Sequence, residues 1–340
     1  MISLAKRVIR QILGDKRTMG LMLFAPLLIL TLIYLLLGNS SYTPTIAINE
    51  QKLPEAFVTA LKEENTVILN TTEADSDPKA YLKENTDVDA FLSMSKTGTT
   101  ITMYEASSKS GKAMKAIQSA LEALNPAMKL DTGYVYGGDE DSTFQTMGYI
   151  FLGVIAFFFI FIISGMALVR ERNSGTLERM LMTPIQRRSI IGGYTIGYGI
   201  FAIIQTIILV LFSIYVLGLS SNGNVLWVIL IMLLLAVAAV SLGEFISIFA
   251  SSEFQVVQFI PIIIIPQIFF SGLIPLDTLP YHLGVLSYIM PLFYGCSAIK
   301  KVMVYGNGLS DIYYFLLALL FYIVVLSSFN TLVLKKYRKL

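Results

Sequence analysis

The chain has 340 residues, 55% of them hydrophobic and only 14% charged, with a formal net charge of +2 and a mean hydropathy of +0.69. A water-soluble surface needs about a quarter of its residues charged, so composition excludes an ordinary pair of soluble domains. Long uncharged stretches make lipid the solvent for much of the chain.

Residues 1–18 carry Ile2, Ala5, Val8, Ile9, Ile12 and Leu13 at helical spacing, with Lys6, Arg7 and Arg10 off that face. The pattern predicts an amphipathic helix lying in a membrane interface. A disordered basic arm is the alternative, and the nearly unbroken apolar stripe favours the helix. Residues 19–38 form the first uncharged run of spanning length. No small-x-small cleavage pattern follows it, so it reads as an uncleaved anchor.

Residues 39–144 are different in kind: nine lysines, no arginine and sixteen acids. Residues 45–48, 66–69, 88–93 and 99–104 read as strands, the last two as a hairpin across Lys96-Thr97-Gly98. Helical patterns fall around 53–63, 78–84 and 110–124. A small α/β domain inserted between the first two spans is expected. Ser110-Gly111-Lys112-Ala113 resembles a phosphate loop only in its Gly-Lys pair, and Asp75-Ser76-Asp77 fails calcium-loop spacing at Pro78. Asp139-Glu140-Asp141 reads as a solvated acidic link. Cys296 and His282, each alone of its type, read as packing residues; one of each cannot build a metal site or an intrachain disulfide.

Further spans are expected at 145–169, 189–219, 225–250, 254–276 and 311–334, giving an α-helical polytopic membrane protein with six transmembrane helices. The 189–219 run exceeds what a span needs, so part of it is expected to lie along the interface. Basic residues cluster at Lys6–Arg17, in the 170–188 connection (Arg170, Arg172, Arg179, Arg187, Arg188) and in the 335–340 tail. Six crossings put all three clusters on one side, which the positive-inside rule makes cytoplasmic. The 39–144 domain is then extracytoplasmic, and the opposite short loops carry only Lys300 and Lys301.

Within the 170–188 connection, Leu177, Met180 and Leu181 form an i, i+3, i+4 apolar patch rimmed by Glu171, Arg172, Glu178 and Arg179, and Pro184 stops the helix. Such a knob suits docking into a groove on a soluble partner. An ordinary interfacial connector explains the same pattern equally well. Glu244, in an otherwise apolar run, either lines a translocation path or reaches the cytoplasmic interface.

The run from Glu171 to Pro184, Glu-Arg-Asn-Ser-Gly-Thr-Leu-Glu-Arg-Met-Leu-Met-Thr-Pro, resembles the segment after the second span of ABC-2 type transporter permeases. Ser271-Gly272-Leu273-Ile274-Pro275 and Leu286 to Leu292 resemble that family's external turn, where the chain partly re-enters the membrane; residues 277–310 are expected to form this re-entrant hairpin. The order of parts is similar to the bacterial drug-resistance branch typified by daunorubicin and linearmycin export permeases, and covers essentially the whole chain. The resemblance implies that Glu171, Gly175, Thr176, Leu177, Glu178, Arg179, Met180 and Leu181 belong to a coupling helix that contacts an ABC ATPase dimer. It also implies a second permease chain, identical or sibling, in a plasma membrane. No Gly-x4-Gly-Lys-Ser/Thr loop occurs in the chain, so ATP and Mg are expected on the ATPase, with no cofactor or metal on this chain. An amphipathic or lipid-like substrate is expected, and nucleic acid is not an expected partner. A membrane receptor that uses the acidic domain to bind a ligand, and a sodium exporter of the same family, are the competing readings.

Overall fold

The computed structural model describes residues 1–38, 43–72, 74, 77–95, 98–103, 108–124, 142–274, 276 and 280–333. The chain divides into a helical unit, residues 1–38 and 136–340, and a second compact unit, residues 39–135. Helix α1 (Ile2–Gly14) opens the helical unit and buries Leu4, Ala5, Val8 and Ile12. Ile2 and Leu13 belong to the apolar stripe in sequence but stay exposed. Asp15 ends α1, and α2 (Lys16–Leu37) starts at once, earlier than the 19–38 run suggests. Pro26 lies inside α2, and Thr31 Oγ1 donates to the Leu27 carbonyl at 2.7 Å. In lipid, a hydroxyl has few partners other than the backbone of its own helix.

The second unit holds a four-stranded sheet of β1 (Thr45–Ile48), β2 (Val67–Asn70), β3 (Ala90–Ser95) and β4 (Gly98–Met103), in the order β2-β1-β3-β4. β1 pairs in parallel with β2 and β3, while β3 and β4 are antiparallel. Parallel neighbours need crossovers, supplied by α3 (Glu55–Glu63) and α4 (Pro78–Glu84). A third helix, α5 (Ser108–Leu124), follows β4. Strand alternation puts Ile46 and Ile48 in one core with Phe57, Leu61 and Ile117, and Ala47 in another with Leu82 and Phe91. Helices therefore cover both faces of the sheet. Asp77 accepts from Lys79 N and Ala80 N, an N-cap that starts α4 just before Pro78. The acidic link at 139–141 and the whole 125–138 stretch lie outside the described residues.

The helical unit resumes with α6 (Thr143–Asn173), the short α7 (Thr176–Leu181), α8 (Arg187–Tyr215) and α9 (Val225–Ser247). It continues through α10 (Glu253–Gln258) and α11 (Ile260–Ile268), then a wider helical turn in which Gly272 takes φ 101°. Residues 281–289 and α12 (Pro291–Met303) meet at 92°, and α13 (Leu309–Val333) closes the unit. Among the described residues five helices are long and apolar enough to cross a membrane: 143–173, 187–215, 225–247, 253–273 and 309–333. Helix α2, apolar over Met22–Leu37, is the other of the six apolar runs. α8 is one unbroken helix from Arg187 to Tyr215.

Small residues let these helices approach closely. A Cβ built on Gly165 of α6 would sit 3.2 Å from the Gly243 carbonyl of α9, and one on Gly295 of α12 would sit 2.7 Å from Leu235 of α9. α9 is thus the centre of the bundle. Outward faces are apolar as well: Leu317, Phe321 and Val324 of α13, and Phe24, Leu28 and Leu35 of α2, are all exposed. Water would not tolerate patches of this extent, whereas lipid tails would.

Candidate functional site: the 170–186 hub

The connection after α6 draws four other elements together. Helix α6 carries its last turn past the apolar stretch, which places Arg170, Glu171 and Arg172 on consecutive positions around the helix. Each points to a different neighbour. The Arg170 guanidinium donates from Nε and Nη2 to Glu253 of α10 at 3.0 and 2.9 Å, and its Nη1 lies 4.0 Å from Asp15. Glu171, only 4% exposed, accepts from Arg7 of α1 at 3.1 and 3.3 Å. The Tyr194 hydroxyl of α8 interacts with the same carboxylate. Arg172 donates from Nη1 to the Ser247 carbonyl at 3.2 Å and from Nη2 to the Ala250 carbonyl. Asn173 adds a bond to the Ser251 carbonyl at 3.3 Å. Ser247 ends α9, where a helix leaves its C=O groups unpaired, so Arg172 caps a helix distant in sequence, while the Ala250 and Ser251 carbonyls belong to the turn between α9 and α10.

The turn into α7 depends on Gly175, whose φ of 69° is left-handed and favours glycine. Ser174 Oγ donates to the Glu171 carbonyl and lies 2.9 Å from Thr176 Oγ1. Helix α7 then turns Leu177 and Met180 inward, at 4% and 8% exposure, into the main hydrophobic core. Arg7 Nη1 reaches the Met180 sulfur at 3.4 Å. Leu181 is half-buried against the same core. The apolar patch expected to be a docking knob therefore holds α7 to its own chain. What faces outward is Glu178, Arg179, Thr183 and above all Met182, 90% exposed. Arg179 folds back onto the Gly175 and Ser174 carbonyls at 3.3 and 3.2 Å. The Glu178 carboxylate makes no hydrogen bond or ion pair among the described residues, while its backbone carbonyl accepts from Met182 N at 3.1 Å. Period alone locates an apolar face but does not say whether it meets the chain or a partner, which is why Met182 goes unmarked in sequence.

Glu171 also needs correcting: it is an internal strut and is not available at the surface. The signal lay in Arg7, an arginine at the polar edge of the first helix, but nothing in sequence spacing joins residues 164 apart.

Glu244 is 1% exposed, inside the bundle formed by α8, α9 and α13. Thr195 Oγ1 of α8 donates to it, 3.0 Å from each carboxylate oxygen, and Asn330 of α13 lies beside it. Asn330 Nδ2 donates to the Ser241 carbonyl of α9 at 3.0 Å. The carboxylate thus links α9 to α8 through a neutral partner, and Asn330 links α9 to α13 one turn away. Cys296 is buried against Ile150 and His282 lines a cavity under the 92° bend; neither belongs to a metal-ligating cluster among the described residues.

Spanning apolar helices with lipid-compatible outer faces, gathered at one end by a charged hub, define a polytopic membrane protein. The sequence pattern of the family described as "ABC-2 family transporter protein" matches residues 16–332, nearly the whole chain, and the chain belongs to that family. It is similar to "ABC transporter G family member 20" of Dictyostelium discoideum, 28% identical over 195 residues that make up 57% of this chain and 27% of that protein. It is also similar to two proteins of Escherichia coli. "Probable multidrug ABC transporter permease YbhS" is 26% identical over 148 residues, 43% of this chain and 39% of the relative. "Inner membrane transport permease YhhJ" is 26% identical over 180 residues, 52% and 47% respectively. The chain spans less than half the length of these curated relatives.

Proposed function

We propose that the protein is the membrane-spanning permease subunit of an ATP-driven exporter, and that the outward face of α7 receives the force of a separate ATPase. The observation that supports this best is the construction of the hub. A short helix exposes Glu178, Met182 and Thr183, while every residue from Arg170 to Asn173 ties its base to another element. A push on such a helix is delivered to α1, α9 and α10 at once, because packed and hydrogen-bonded elements move as units. The family membership and the permeases among its relatives point the same way.

In this reading the hub and both termini are cytoplasmic, from the placement of the basic residues, and the acidic α/β unit is external. Two ATPase subunits carrying ATP and Mg would bind two permease chains, and residues 281–303 would form the external re-entrant hairpin in the plasma membrane. The cargo would be an amphipathic or lipid-like molecule, since the membrane helices are apolar and carry few charges. Glu244, enclosed within one chain, is read as a pin between helices rather than part of the path.

The experiment is copurification of an ATPase subunit with the chain, followed by ATP-dependent uptake of amphipathic antibiotics into inside-out vesicles. Met182→Asp combined with Glu178→Lys should abolish copurification and uptake while the permease stays folded. Undiminished copurification would remove α7 as the docking point.

A further inference from the structure

A cavity of about 690 Å³ lies under the 92° bend, walled by the start of α6, the turn after α11, residues 281–289 and one face of α12. Phe293, Ser297 and Lys300 recur along α12 at i, i+4 and i+7, which puts all three on that face. Tyr149 joins them from α6, twenty-one residues before Arg170. That spacing separates the cavity from the 170–186 hub by about 32 Å along one helix.

Two polar side chains of the wall are already engaged. Ser271 Oγ donates to the Ile268 carbonyl at 2.7 Å, and Cys296 Sγ lies 3.9 Å from the Ile150 carbonyl. Others are not. Tyr149 is 7% exposed and Ser287 1%, and neither hydroxyl has a hydrogen-bond partner among the described residues. The Ser297 hydroxyl has none among them either. The Lys300 ammonium lies 5.6 Å from the centroid of the Tyr305 ring and makes no ion pair among the described residues. The described lining contains His282 as its other titratable base and no carboxylate.

We infer that this cavity binds a phosphate group, either free or as the head of an amphiphile. Buried hydroxyls left without partners cost free energy, and water in a polar cavity would relieve that. Water does not supply negative charge beside Lys300. A phosphate does both: its several oxygens accept from the hydroxyls of Tyr149 and Ser297 while its charge meets an ammonium that no acid of the described lining competes for. A cation in the same place would face Lys300 with nothing to offset the repulsion. Ile274, Leu276 and Phe293 complete the wall and suit the carbon skeleton that bears the phosphate.

The inference goes beyond the export reading and needs neither ATPase nor transport. The test uses the full chain in dodecyl maltoside, a detergent without phosphate, and three probes: inorganic phosphate, dihexanoyl phosphatidic acid and dihexanoyl glycerol. Binding is read by isothermal titration and by the rise in unfolding temperature that a ligand of the folded state produces. At least one phosphate probe should bind, and the phosphate-free glyceride should not. Lys300→Gln should weaken binding about tenfold and Tyr149→Phe about fivefold, the sizes expected for one charged and one neutral hydrogen bond. Lys301→Gln, whose lysine instead stands over the Phe315 ring at 5.9 Å, should leave binding unchanged. Ser297→Leu, which intrudes into the cavity, should weaken binding as much as Lys300→Gln and serves if that variant does not stay monodisperse. Binding of phosphatidic acid alone identifies a lipid head, of inorganic phosphate alone a free solute, and of both a site for the phosphate group itself; each supports the inference. Binding of neither phosphate probe would mean a water-filled cavity and would overturn it. So would equal binding of the glyceride, binding untouched in both Lys300→Gln and Ser297→Leu, or a loss in Lys301→Gln as large as in Lys300→Gln. Phosphate binding without ATP-driven uptake would leave the cavity's assignment standing and count against the export function.

Discussion

The Arg7 guanidinium donates to both carboxylate oxygens of Glu171, at 3.3 and 3.1 Å, across 164 residues of chain. Arg7 remains 41% exposed in its side chain while Glu171 is 5% exposed, so the pair is lopsided: solvent screens the cation and not the acid. Removing the arginine leaves a buried carboxylate with the Tyr194 hydroxyl as its main remaining side-chain partner.

Arg7→Ala should therefore destabilise the folded chain by about 1–3 kcal/mol, the range for stranding a buried charged group. Glu171→Gln should do less, because an amide keeps an acceptor for Arg7. In a double-mutant cycle read by thermal unfolding in detergent, the two changes should fall well short of adding. Strict additivity would mean that the pair contributes nothing.

The first helix is held by shape as well as by charge. A Cβ on Gly193 would meet Leu4 Cβ at 2.7 Å, and one on Gly197 would meet Val8 Cγ1 at 2.6 Å, so α1 lies in a groove that these glycines open on α8. Gly197→Leu should lift α1 from that groove at a cost of about 1–3 kcal/mol for overpacking. Limited trypsin digestion reports it directly: cleavage at Arg7 and Arg10 should become at least several-fold faster than in the parent chain.

Much of the architecture was legible because hydrophobic period and turn chemistry act locally. Residues 45–48 are a short apolar run buried on both faces and form β1; Pro78 follows a capping Asp77 and starts α4. The uncharged runs likewise announced the long helices. What stayed hidden depended on contacts between distant segments. The 189–219 run looked too long for a span, while the glycine groove that α1 occupies on α8 could be seen only with its partner in place. Leu177 and Met180 had the spacing of an exposed knob, but whether an apolar face turns inward depends on the core it meets. Glu244 stood out as a lone carboxylate, while its partners Thr195 and Asn330 lie on two other helices.

That carboxylate yields a graded series. Glu244→Gln keeps an acceptor for Thr195 and matches the shape, so it should cost under about 1 kcal/mol. Glu244→Leu strands the Thr195 hydroxyl in a part-buried setting and should cost about 1–3 kcal/mol. Asn330→Leu should resemble the leucine variant, since it takes away the link between α9 and α13. The order of unfolding temperatures, parent near Gln and both above Leu, is the measurement; a leucine variant more stable than the parent would show that the three helices need no polar pin.

The two faces of α7 make opposite demands on a substitution, and this separates a docking role from a structural one. Leu177 is part of the core, so Leu177→Asp buries an unpaired charge and should unfold the hub, with loss of membrane-extracted monodisperse protein. Met182, 90% exposed, touches little of its own chain, and Met182→Asp should change the unfolding temperature by an amount corresponding to less than about 0.5 kcal/mol. If α7 meets an ATPase, that mild variant should nonetheless lose ATPase association at least tenfold, because a carboxylate replaces the apolar residue at the contact. Glu178→Ala, on the same outward face, should weaken association without affecting stability. A Met182→Asp chain that binds the ATPase as tightly as the parent would assign α7 a purely internal role, that of bracing α1 and α6 through Arg7 and Glu171.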